Sequence, residues 1–348
     1  MEKKRFIILY TLFLVGIPVG FFCFLLSPPV LHQLLRPIPP QTMLNKVLEK
    51  IDSTTPNTFT LSEKQSMLPQ AYAQDSANDY DQAQEYIVID NNTGNVLSEK
   101  NSQNSVAIAS LTKLMTAVVA LDLARSTDKL TISQAAGNEI PTTIGVVPGQ
   151  HMTVDELLYG MLMTSANDAA QAVKDGIDAT YGSEVFISAM NEKAKMLGLT
   201  KTHFANPQGF DNVHNYSSAH DLAVLAHYAL TNYPEITQIV KIDFIHMDAN
   251  AYHKQFDLNN WNGLLDVYPG AYGVKIGNTG EAGYTTIVTS QRNGIDLLVV
   301  VLDAPGIIER DQWAAELLDS GFAQYSIPAA NITKQQLLAK YATWKYFN

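Results

Sequence analysis

Ser110 and Lys113 stand three residues apart in the stretch "IASLTKLMTAVVAL". On a helix that spacing puts two side chains on one face, roughly 5–6 Å apart at Cβ. Surroundings this apolar disfavour an ammonium, and a neutral lysine beside a serine is a base beside a nucleophile. Two further patterns follow along the chain: Ser165-Ala166-Asn167 offers a hydroxyl and an amide, and Lys275-Ile276-Gly277, followed by Asn278, offers a second amine. Each residue also has a plain structural reading. Lys113 can snorkel from a helix, Ser165 can cap one, Asn167 can sit in a turn, and Lys275 can charge a strand edge. Chance copies occur at Ser126-Thr127-Asp128-Lys129, Ser102-Gln103-Asn104 and Lys174-Asp175-Gly176. The weight therefore rests on the order and setting of the three main patterns.

Those settings follow from hydrophobic patterning. "YIVID" reads as a strand, "NNTG" as a turn and "NVLSEK" as a return strand. Ser110 then opens a helix, and the patterns stay helical to about residue 240. Thr153 and Glu156 form a capping box before "LLYGMLM". Ser165 and Asn167 fall in a break between two helices. "EVFISAMNEKAKMLGL" stops near Gly198, and "SSAHDLAVLAHYAL" is another helix. Lys275 lies on a predicted strand. "YTTIVTSQRNGIDLLVVVLDA" is a hairpin joined at Asn293-Gly294, and "RDQWAAELLDSGF" is a closing amphipathic helix. The expected fold is α+β, its antiparallel sheet built from both ends of the domain around an inserted helical block.

With 23 basic and 34 acidic residues in 348, the net charge is −11, which argues against nucleic acid as a partner. The single cysteine, Cys23, lies in the apolar N-terminal run, so nothing downstream forms a disulfide. The eight histidines show no metal-binding spacing; no metal and no cofactor are expected. Lys3, Lys4 and Arg5 precede the uncharged run 6–26, "FIILYTLFLVGIPVGFFCFLL". Its length fits one membrane crossing better than a signal-peptide core, and the nearest A-x-A site is distant, at Ala71-Tyr72-Ala73. Pro18 is tolerable in a membrane helix. The basic cluster places the N-terminus in the cytoplasm and the rest outside. The expected organisation is a cytoplasmic tip and transmembrane anchor at 1–26 and a Pro-rich extracytoplasmic linker at 27–84, with one short helix near 43–51. The catalytic domain follows at 85–326 and a C-terminal tail at 327–348.

The chain resembles the serine-type D-alanyl-D-alanine carboxypeptidases, the low-molecular-weight penicillin-binding proteins, over about residues 86–325. "IASLTKLMTA", "LLYGMLMTSANDAA", "FISAMNEKAKMLGLTKTHFANPQGFD", "NYSSAHDLA", "NNWNGLL" and "GVKIGNTGEAGYTTIV" each match a block of that family. S-x-x-K, S-x-N and K-T-G are its motifs. The resemblance implies a β-lactamase/transpeptidase-like fold, peptidoglycan stem peptides as substrate and β-lactam antibiotics as covalent inhibitors. It also implies roles. Ser110 would be acylated, and Lys113 would take its proton. Ser165 would relay a proton to the leaving amine, and Asn167 would hold a substrate amide. Lys275 would anchor the substrate and keep Lys113 neutral by repulsion, and the backbone N–H groups of Ser110 and Asn278 would form the oxyanion hole.

Two departures stand out. Ile276 replaces the usual threonine, whose hydroxyl bonds the substrate's terminal carboxylate. The block Asn260-Trp261-Asn262 lacks the arginine that some members place there. Both weaken recognition of a free C-terminal D-alanine and leave the acylating groups in place. The leading expectation is a membrane-tethered serine D,D-carboxypeptidase. A D,D-endopeptidase acting on cross-links and a catalytically weak peptidoglycan-binding module are the alternatives. No candidate for a β-lactamase's deacylating glutamate motif is found.

Overall fold

The computed structural model describes residues 41–53, 59–62 and 79–344. In chain order the elements are α1 (Gln41–Ser53), β1 (Glu85–Asp90), β2 (Val96–Lys100), α2 (Thr112–Leu123), β3 (Lys129–Thr131), α3 (Gln134–Gly137), β4 (His151–Thr153) and α4 (Val154–Met163). They continue with α5 (Asn167–Tyr181), α6 (Val185–Met196), α7 (Ala219–Asn232), α8 (Pro234–Val240), β5 (Phe244–Met247) and β6 (Phe256–Asn259). The last are β7 (Ala271–Thr279), β8 (Gly283–Arg292), β9 (Ile295–Ala304), α9 (Ile307–Ala323) and α10 (Lys334–Tyr341).

Five strands form one sheet in the order β2-β1-β9-β8-β7, with every neighbouring pair antiparallel. The first hairpin of the domain and its last three strands thus meet in one sheet, as the sequence pattern implies. Asn293 and Gly294 turn β8 into β9 with φ of 51° and 82°, the left-handed conformation that a two-residue hairpin needs. Two smaller ribbons pair β3 with β4 and β5 with β6.

β9 reads "LLVVVL" without polar alternation because both faces of the sheet are covered. Leu298, Val300 and Leu302 join Ile87 and Ile89 in a core against the helical block. Leu297, Val299 and Val301 join Tyr86 and Val88 in a second core, closed by Trp313, Leu317 and Leu318 of α9. α2 lies wholly inside the first core, with all but one of its twelve residues buried. The Thr153–Glu156 capping box starts α4, and Ser218 caps α7.

Two segments that read as lying outside the domain carry part of its core. Within the expected linker, α1 packs on the helical block, and its Val47 and Ile51 are fully buried. Lys50 donates to the Leu123 carbonyl at 3.1 Å, and Lys193 reaches the Ile51 carbonyl at 3.3 Å. Phe59 stacks on His227 with ring centroids 3.4 Å apart. Past residue 326, Ile327, Ile332, Leu337, Tyr341 and Trp344 complete the second core. α9 alone leaves part of that sheet face to be covered, and apolar residues spaced for a short helix supply the cover. The run 6–26 lies outside the described residues. Among those described, no helix is long and apolar enough to cross a membrane.

Candidate active site

Ser110 sits on a 3₁₀ turn, Ala109–Leu111, that feeds into α2, rather than on α2 itself. The turn still aims it at Lys113, whose Nζ lies 2.8 Å from Ser110 Oγ. Lys113 is fully buried. Its amine has two further partners, the Gln208 carbonyl at 2.6 Å and Asn167 Oδ1 at 2.8 Å. Asn167 Nδ2 donates to the Ile140 carbonyl at 3.1 Å, which fixes the amide with its oxygen towards the lysine. Both partners can only accept. A neutral amine has two protons and one lone pair. The two acceptors take both protons, and the lone pair is left facing the Ser110 hydroxyl.

Burial pushes the Lys113 ammonium down to about 7, against the attraction of Glu139 and Asp168, which hold the proton on. Withdrawal from water is the largest cause. Repulsion between the Lys113 and Lys275 amines is mutual and acts in the same direction, and Lys275 is itself depressed first by its own burial, then by Lys113 and Arg310.

Lys275 is 1% exposed on β7. Its Nζ donates to Ser165 Oγ at 2.9 Å and to the Ile276 carbonyl at 2.8 Å. Ser165 occupies the break between α4 and α5 with φ 61°, and Ala109 precedes Ser110 with φ 49°. Non-glycine residues in this region carry strain of about 1–3 kcal/mol each and gather at functional sites. Gly277 explains the third pattern's last position. A Cβ there would lie 2.8 Å from both Ser110 N and Thr285 Oγ1, so only glycine lets β7 pass this close to Ser110. Ile276 is 8% exposed, and Asn278 is exposed one residue beyond Gly277.

The structure thus gathers Ser110, Lys113, Ser165, Asn167 and Lys275 into one hydrogen-bonded cluster, with Ile276, Gly277 and Asn278 on the strand beside it. The chance copies stay apart from it. Lys129, for example, lies over the Tyr252 ring at 3.9 Å.

Sequence reasoning missed the loop that completes the lysine's surroundings. Asn206 Oδ1 accepts from Gly209 N at 2.7 Å and Phe210 N at 3.0 Å. Thr116 Oγ1 donates to the Pro207 carbonyl at 2.8 Å. Gly209 has φ 93°, and a Cβ on it would run into the Ala109 carbonyl. This tight turn is what delivers the Gln208 carbonyl to Lys113. "NPQG" was the available signal, but a backbone acceptor leaves no mark in residue type. Asp168 was also missed: its carboxylate accepts from the backbone N–H groups of Ile144, Gly145 and Val146 at 2.8–3.1 Å. Arg310 is the third omission. It is 1% exposed and donates from Nε to Asp311 Oδ1 at 2.6 Å. A Cβ on Gly263 would strike that same Asp311 carboxylate. Arg310 therefore brings, from a distant part of the chain, an arginine to the neighbourhood of the 260–263 block.

Residues 72–306 match a sequence family described as D-alanyl-D-alanine carboxypeptidase. The chain is 37% identical over 249 residues to D-alanyl-D-alanine carboxypeptidase DacF of Bacillus subtilis (strain 168), covering 70% of this chain and 63% of the relative. It is 32% identical over 248 residues to the D-alanyl-D-alanine carboxypeptidase of Streptomyces sp. (strain K15), covering 68% of this chain and 85% of that one. Among solved structures, the Streptomyces K15 DD-transpeptidase superposes with a TM-score of 0.66 at 30% identity, over 72% of this chain and all of that one. The D-alanyl-D-alanine carboxypeptidase DacD of Francisella tularensis gives a TM-score of 0.65 at 26% identity, over 74% of this chain and 73% of that one. The chain spans a little over three fifths of the length of the Bacillus relative.

Proposed function

We propose, from the premise that this chain belongs to the D-alanyl-D-alanine carboxypeptidase family, that it is a penicillin-sensitive serine D,D-carboxypeptidase of peptidoglycan stem peptides. The observation that carries the reading is the fully buried Lys113 with its lone pair left for Ser110, 2.8 Å away. In the reaction, Lys113 takes the Ser110 proton as Oγ bonds to the carbonyl carbon of the penultimate D-alanine. The bond to the terminal D-alanine nitrogen breaks, and that nitrogen receives, relayed through the Ser165 hydroxyl, the proton that Lys113 took, which leaves Lys113 neutral again. Lys275, donating to Ser165 Oγ, leaves the Ser165 hydrogen free to point at the leaving group. Backbone N–H groups of Ser110 and Asn278 would hold the oxyanion. Water then releases the acyl group, with Lys113 again the base.

Ile276 favours a second reading, a D,D-endopeptidase acting on cross-links, because an apolar side chain beside Lys275 offers a terminal carboxylate no hydroxyl. Analysis of products from purified muropeptides separates the two. Loss of single D-alanines supports the carboxypeptidase; conversion of dimers to monomers without such loss supports the endopeptidase. The place of action follows from the sequence: the run 6–26 would anchor the chain in the cell membrane as a single pass, with the catalytic domain outside, facing the cell wall. Fractionation of cells, with protease access from the outer side, tests that arrangement.

A further inference from the structure

Gln208 presents its carbonyl to Lys113, and its own side chain is held from two sides. The amide nitrogen donates to Glu139 Oε2 at 2.5 Å and to Gln171 Oε1 at 2.6 Å, which uses both of its protons. Gln171 is oriented in turn, since its Nε2 donates to Asp175 Oδ1 at 2.8 Å. Gln208 is only 3% exposed. Glu139 begins the same loop that Asn167 holds through the Ile140 carbonyl and that Asp168 holds through residues 144–146. Two of the three partners of the Lys113 amine are therefore tied to this one loop.

We propose that Glu139 is a positioning residue for the base: by clamping the Gln208 side chain together with Gln171, it holds the Gln208 carbonyl against Lys113 and so keeps the lysine lone pair aimed at Ser110. The inference rests on the reading of Lys113 as the base of an acylation at Ser110. The Asn206 turn brings the Gln208 carbonyl to Lys113, and the clamp narrows its remaining freedom; without the clamp the carbonyl has more room to move, the amine can turn a proton towards Ser110, and the productive arrangement becomes one of several. Glu139 also acts through its charge. The charged groups that bear on Lys113 are Glu139 from the loop, Asp168 at the start of α5 and Lys275 from β7. The two carboxylates favour the ammonium, so removing one lowers the pH at which Lys113 becomes neutral.

The test is the second-order rate of acylation by a fluorescent penicillin, measured from pH 5 to 10 on the full chain. It compares wild type, Glu139→Gln, Glu139→Ala and Gln208→Ala, each normalised to folded protein by circular dichroism. Wild-type acylation is the control for the underlying reading: no covalent labelling of wild type overturns that reading, whereas labelling that the variants leave unchanged overturns only the clamp. Glu139→Ala should lower the high-pH plateau about ten- to a hundredfold, the scale on which a misplaced catalytic group costs rate, and shift the midpoint to lower pH. Gln208→Ala, which keeps the carbonyl and loses the clamped amide, should show the same plateau loss. Glu139→Gln keeps an acceptor for the Gln208 amide and should recover most of the plateau while its midpoint still falls. A plateau at the wild-type value in Glu139→Ala overturns the proposal whatever the midpoint does, since loss of the charge alone moves the midpoint. So does a loss that tracks only the folded fraction, with no movement of the midpoint.

Discussion

Lys113 is expected to titrate in the middle of the physiological range, and the rate of acylation at Ser110 should report it. An ordinary lysine, at 10.5, is neutral in about one molecule in 3,000 at pH 7; one brought to about 7 by burial is neutral in about half. The buried site thus raises the fraction of competent base on the order of a thousandfold. The sign follows directly. Activity needs the neutral amine, so the rate rises with pH, close to tenfold per unit below the midpoint, and flattens roughly one unit above it. At pH 5 only about one molecule in a hundred carries the base. The assay is time-resolved labelling with a fluorescent penicillin, quenched and read on a gel, at constant ionic strength from pH 5 to 10. Circular dichroism at each pH excludes unfolding as the cause of the acid limb. A rate still climbing tenfold per unit at pH 9 means that Lys113 keeps an ordinary pKa and that burial does not activate it. A flat profile from pH 5 to 8 means that another group is the base.

Ile276→Thr adds a hydroxyl beside Lys275, and a hydrogen bond to a charged carboxylate is worth roughly 1.5–3 kcal/mol. On a D-Ala-D-Ala peptide the expected gain in kcat/KM is about 10- to 150-fold, with little gain on cross-linked dimers. Equal rates for mutant and wild type would overturn the idea that Ile276 limits recognition of the carboxylate. Ile51→Ala should lower stability by about 2–5 kcal/mol, the range for truncating a buried aliphatic side chain, read as a fall in Tm with the acylation rate of the folded protein preserved. No change in Tm would mean that α1 does not hold to the domain in solution.

The strands, the Asn293-Gly294 turn and the main helices were legible because local chemistry decides them. Period and capping need no knowledge of distant partners, as the Thr153–Glu156 box shows. The site's side chains were legible because each pattern keeps its spacing on one short segment. What could not be read was made by packing. α1 looks like an interruption in a Pro-rich linker until Val47 and Ile51 are seen in the core. The C-terminal residues look like a tail until Tyr341 and Trp344 close the outer face of the sheet. The same holds for the depressed Lys113. Its cause, complete burial, belongs to the assembled fold, and its third partner is a backbone carbonyl that residue type cannot announce. Arg310 pairs with Asp311 beside Gly263 from a helix whose sequence signals only amphipathic packing.

The most direct measurement is the mass of the chain after reaction with benzylpenicillin, followed by mapping of the modified peptide. The expected result is one adduct of the intact drug per chain, carried by the peptide that contains Ser110, and no adduct on Ser110→Ala, whose circular dichroism matches wild type. An adduct on any other residue, or one that persists in Ser110→Ala, contradicts the assignment of Ser110 as the nucleophile that Lys113 activates.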